Sequence, residues 1–145
     1  MSGEPNIFFF LEEVRYSLRQ KRKIRSWILQ IAENEDYKVG ILNYILTNDD
    51  ILVQLNKEYL RHFTLTDIIT FDLSETDGLL TGDIYISVDR ARENSKKFKD
   101  SLNSEIKRLM IHGVLHLMGY KDKSQSEREL MRAKEEYYLS LTAWS

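Results

Sequence analysis

Residues Leu102 to Leu117 constrain this chain more than any other stretch. Ile106, Leu109, Met110, Val114 and Leu117 recur at spacings of three and four, the pattern that lines one side of an α-helix. Gly119 follows the last apolar turn where a left-handed C′ residue belongs, so the helix should stop there and Tyr120-Lys121-Asp122 should fold back beside it. His112 and His116 lie four apart within the helix and share one face, with Cβ atoms about 5–6 Å apart. That spacing suits a chelating pair, and equally two ordinary half-buried histidines. Gly113 costs a helix interior about 1 kcal/mol relative to alanine. The cost makes sense if the backbone must approach a neighbour closely or leave a metal face uncluttered.

The rest of the chain supplies a sheet for this helix to pack on. Ile7 to Leu11 reads as a short buried strand. Ile24, Trp27, Ile28 and Ile31 line one face of a helix whose other face is charged. Val39 to Leu46 is a further strand. Thr47-Asn48-Asp49-Asp50 then caps a second helix, whose apolar face is Ile51, Leu52, Leu55, Tyr59 and Leu60. Asp67 to Leu73 and Leu80 to Ser87 form a hairpin around an Asp-Gly turn, and Ser87 caps a helix running to about Phe98. Ser124-Gln125-Ser126-Glu127 matches a capping box for a last helix ending near Leu141. Strands early and helices late predict an α+β fold, a small mixed sheet with helices packed on it. A single proline, six glycines and no Ser/Gly-rich stretch leave no place for a linker, so residues 1–145 read as one domain.

Composition narrows the chemistry. Without cysteine there are no disulfides, thiol nucleophiles, Fe–S clusters or Cys-ligated zinc, and three histidines remain for metal or acid-base work. The net charge of −2 excludes a globally basic nucleic-acid coat, so any RNA site is a local patch. Two basic clusters qualify, one over Arg15 to Arg25 and one over Arg90 to Lys99, although each reads more readily as a solvated face balanced by nearby acids. The run Ile7 to Leu11 is far short of the ~20 residues that cross a bilayer, and Met1 to Asn6 lacks the basic start of a signal peptide. A cytoplasmic protein without a membrane partner is the expectation.

The segment His112-Gly113-Val114-Leu115-His116-Leu117-Met118-Gly119-Tyr120 resembles the histidine motif of the YbeY family of metal-dependent single-strand endoribonucleases, His-Gly-x-Leu-His-Leu-x-Gly-Tyr-Asp-His. Leu55-Asn56-x-x-Tyr59, Thr66-Asp67-Ile68-Ile69-Thr70-Phe71 and Gly82-Asp83-Ile84 are similar to further blocks of that family, in the same order. The resemblance implies a zincin-like fold with its metal-binding helix near the C-terminus. It also implies one zinc ion per chain, with other divalent metals possible. The substrate would be single-stranded RNA, with no DNA expected. The role would be 3′-end maturation of small-subunit ribosomal RNA and ribosome quality control, with the ribosome as partner.

Two positions depart from the family pattern. Asp122 stands where the third metal-binding histidine belongs, with Lys121 before it. The carried-over ligands are therefore His112, His116 and Asp122, and two histidines plus a carboxylate are a sound catalytic zinc shell. An anionic third ligand makes bound water less acidic and harder metals more competitive. Leu60 stands where the family carries an arginine proposed to act on the substrate phosphate, which leaves Arg61 and His62 as candidate catalytic residues. His62 is also the alternative third ligand. Glu105, two helical turns before His112, is a candidate base or orienter of the imidazole, and equally a surface acid.

Other classes fit less well. Metalloproteases with this histidine spacing place a glutamate directly after the first histidine, where this chain has Gly113. Two-histidine-one-carboxylate oxygenases usually open on a His-x-Asp pair, which the chain lacks. A ribosome-associated metal-binding module with little activity is the alternative from a different class, motivated by Leu60 and Asp122.

Overall fold

The structure is a computed structural model that describes residues 6–60 and 66–142. Arg61 and His62 lie outside them. The elements run β1 (Asn6–Leu11), α1 (Lys21–Asn34), β2 (Lys38–Thr47), α2 (Asp49–Leu55), a π-helical turn (Asn56–Leu60), β3 (Ile68–Asp72), β4 (Leu79–Ser87), α3 (Val88–Lys97), α4 (Leu102–Leu117) and α5 (Gln125–Ser140). This is the expected α+β plan. The four strands form one mixed sheet ordered β1-β2-β4-β3, parallel from β1 through β4, with β3 added antiparallel at the edge.

Local chemistry starts the helices where short-range rules place them. Asn48, Ser87, Ser101 and Ser124 each accept a backbone N–H in the first turn of the helix that follows, and Ser124 with Glu127 closes the capping box.

Strand alternation makes the sheet one-sided. Leu42, Tyr44 and Leu46 of β2 lie beside Leu80, Ile84 and Ile86 of β4 on the buried face, while Phe8, Phe10 and Ile41 are exposed on the other. α1 packs on β2 and α4 on β3 and β4, with α3 and α5 against α4. Buried polar tips are satisfied by backbone carbonyls: the Tyr44 hydroxyl donates to Met110 at 3.2 Å and the Trp27 indole to Tyr138 at 3.0 Å.

The second helix differs from its predicted face. Of Ile51, Leu52, Leu55 and Tyr59 only Leu52 is buried, and Tyr59 is 64% exposed, standing edge-on to Phe71. The backbone widens into a π turn after Leu55, which ends the 3.6-residue periodicity on which that face rested.

Gly113 is explained by close approach. A Cβ there would stand 2.7 Å from Ile84 Cγ2 and 3.1 Å from Ile68 Cδ1. The missing side chain lets α4 lie directly on the edge of the sheet, and this brings the histidine face level with the start of β3.

Candidate metal centre

The helix stop sets where Asp122 lies. Gly119 adopts φ +102°, its N–H donates to the His116 carbonyl, and the Tyr120 N–H donates to Leu115. This is a Schellman closure of α4. The Tyr120 hydroxyl then donates to Glu35 at 2.6 Å, pinning the turn to the C-terminus of α1. Glu35 also accepts from Lys134 and from the Tyr138 hydroxyl, both on α5. With the turn so held, Asp122 returns to the histidine face.

Three candidate donor atoms converge. His112 Nε2 lies 3.0 Å from His116 Nε2, and Asp122 Oδ2 lies 3.3 Å from each. Ligands held about 2.0–2.1 Å from one tetrahedral ion are separated by roughly these distances, so the donor set fits a single metal ion. Among the described residues this is the one group of three or more such side chains placed to hold an ion. Exposure rises across the cluster, from 15% for the His112 side chain through 26% for His116 to 40% for Asp122. One side is therefore anchored in the protein and the other faces solvent. The cluster opens on a cavity of about 280 Å³ that Thr66 to Thr70 also line. No lysine or arginine lines this cavity among the described residues, and neither basic cluster reaches it.

The residue that orients His112 is Glu135 of α5, which the sequence reading missed. Its Oε2 lies 2.5 Å from His112 Nδ1. A carboxylate at Nδ1 keeps the proton there and leaves the Nε2 lone pair for a metal. Burial pushes the Glu135 carboxyl up, but the hydrogen bond from His112 and the charge and hydrogen bond of Arg108 outweigh it and hold the group below the usual carboxylate value. The available signal was a carboxylate within the inward stripe of α5, at Met131, Glu135 and Tyr138.

Glu105 is placed differently from either role considered for it. It is buried rather than on the surface, and its carboxylate is gripped by Arg108 Nε at 2.9 Å and Nη2 at 2.5 Å. Asn94 donates to it as well, at 3.3 Å. Arg108, one turn closer to His112, occupies the path between them and bonds Glu135.

Fold and site together define a class: an α+β protein with a two-histidine, one-carboxylate cluster able to hold a metal ion, at the end of a helix under a mixed sheet. A family model described as Endoribonuclease YbeY matches residues 10–143. The chain is 49% identical over 138 residues to an Endoribonuclease YbeY of Cytophaga hutchinsonii, covering 95% of this chain and 96% of that one. It is 45% identical to that of Flavobacterium psychrophilum, covering 91% and 94%. The solution structure of a Thermotoga maritima protein superposes with a TM-score of 0.64 at 28% identity, over 91% of this chain and 86% of that one. The chain belongs to the YbeY endoribonuclease family.

Proposed function

We propose that this chain is a metal-dependent endoribonuclease that cleaves single-stranded RNA as one catalytic unit and matures the 3′ end of small-subunit ribosomal RNA on the ribosome. The observation that carries this reading is the convergence of His112 Nε2, His116 Nε2 and Asp122 Oδ2 beside an open cavity. Zinc is the proposed ion, with harder divalent metals made competitive by the Asp122 carboxylate. When bound, such an ion polarises a phosphoryl oxygen and acidifies water, which is what phosphodiester hydrolysis requires.

The chain's own residues do the rest. Glu135 fixes the His112 tautomer, and the Glu35 hub holds the turn that presents Asp122. The wall from Thr66 to Thr70 limits the approach of substrate to one side. The cation that would meet the scissile phosphate is proposed to come from Arg61 or His62, which immediately follow the π turn in sequence. A cytoplasmic location is part of the proposal, and no helix among the described residues is long and apolar enough to cross a membrane.

The test is cleavage of single-stranded RNA by untagged protein, with metal content measured on the same preparation. Activity should vanish with chelator, return on metal add-back, and be lost in His116→Ala while that variant stays folded. Stoichiometric metal without cleavage would favour the metal-keeping ribosomal module instead. A wild type that neither contains nor takes up metal would refute the metal centre.

A further inference from the structure

The polar chain behind His112 does not stop at Glu135. Glu135 Oε1 accepts from Arg108 Nη1 at 3.0 Å, and Arg108 forks its Nε and Nη2 onto the two oxygens of Glu105. Asn94 of α3 donates through its amide nitrogen to Glu105 Oε2 at 3.3 Å and to Asp67 Oδ2 at 3.2 Å. Asp67 lines the same cavity as His112, His116 and Asp122. The path thus leaves the cavity at His112, crosses α5, α4 and α3, and re-enters it at Asp67.

We propose that Arg108 is a positioning residue for the metal centre, the keystone of a brace that sets His112 and Asp67 at fixed places in the lining of one cavity. Three features argue for this. Glu105 and Glu135 are 3% and 4% exposed, and Arg108 is the cation that bonds both. Two buried carboxylates repel each other and are costly without such a partner. Only a guanidinium can hold one carboxylate with two nitrogens and a second carboxylate with a third, because its donors are rigid and diverge; an ammonium cannot match that fork. Lastly, Glu135 has one oxygen for Arg108 and the other for His112, so the direction of the Arg108 bond sets how the remaining oxygen meets the imidazole. Outer partners of this kind tune metal affinity by about 10–100-fold.

The inference rests on the metal-binding reading above, and the test separates the two. Zinc affinity of the metal-free protein is measured by competition with a chromophoric chelator, alongside circular dichroism and a melting curve of each variant without metal. Arg108→Lys keeps the buried charge but loses the fork, and should bind zinc about tenfold more weakly. In a Glu135→Gln background the same substitution should cost little further affinity, because the route from Arg108 to His112 is already cut. Glu105→Gln, which leaves Arg108 on Glu135, should weaken binding by about threefold, and it decides the matter if Arg108→Lys fails to fold. Folded Arg108→Lys with wild-type affinity, or a full tenfold loss persisting in the Glu135→Gln background, would overturn the brace. Wild type that binds no zinc would instead overturn the metal centre itself.

Discussion

Replacing Gly113 by alanine should destabilise the protein, against the ordinary preference of helices. In an unconstrained helix interior the change gains about 1 kcal/mol. Here the added methyl would lie 2.7 Å from Ile84 Cγ2 and 3.1 Å from Ile68 Cδ1, whereas carbon atoms pack best near 3.5–4.0 Å. Ile84 is fully buried on β4 and, being β-branched, has little freedom to rotate away. α4 must therefore lift from the sheet. Overpacking of this kind costs about 1–3 kcal/mol, and after the helical gain a net loss of about 1 kcal/mol remains. For a chain of this size that lowers the melting temperature by about 3–5 °C. The assay is thermal and denaturant unfolding of wild type and Gly113→Ala in excess chelator, repeated in an Ile84→Ala background. There the new methyl occupies vacated space, so the double variant should be more stable than the two separate losses predict. A Gly113→Ala protein that melts above wild type, or losses that simply add, would refute the close-approach account.

Other outcomes follow from the same contacts. Asp122→Ala should reduce metal occupancy of purified protein with little effect on metal-free stability, measured by mass spectrometry and melting; unchanged occupancy would point to a different third ligand. Ser124→Ala removes the cap of α5 and should cost about 1 kcal/mol in denaturant unfolding. At Glu35, burial pushes the carboxyl up but is outweighed by hydrogen bonds from Tyr120, Tyr138 and Lys134, so its folded value lies below the ordinary 4.5. A lowered carboxyl stabilises the fold above its ordinary value, and the benefit is lost as pH falls through the folded value. The stability gap between wild type and Glu35→Gln should thus be widest near neutral pH and close on acidification below 4.5. A gap independent of pH would show that the Glu35 charge is not what holds the turn.

The readable parts of the site are those where cause and effect lie within a turn or two of chain. His112 and His116 share a face because a helix repeats every 3.6 residues, and Gly119 reverses the chain because it adopts positive φ without steric cost. The inward stripe on α2 failed because periodicity assumes an unbroken helix, and the π turn at Asn56–Leu60 ends it. Glu105 was misjudged for a related reason. Counting turns puts it on the His112 face, but counting cannot reveal that Arg108 stands between them and turns its carboxylate away.

By itself the sequence determined the α+β class, the caps, the histidine pair on one helix face and the turn that returns Asp122, because each is enforced by neighbours along the chain. Only the tertiary structure decided which carboxylate orients His112, since Glu135 reaches it through the docking of α5 onto α4 across 23 residues of sequence. It also decided why Gly113 is there, because the atoms that forbid a side chain belong to β3 and β4. Contacts of that kind depend on how whole faces pack, and packing is a property of all the elements at once.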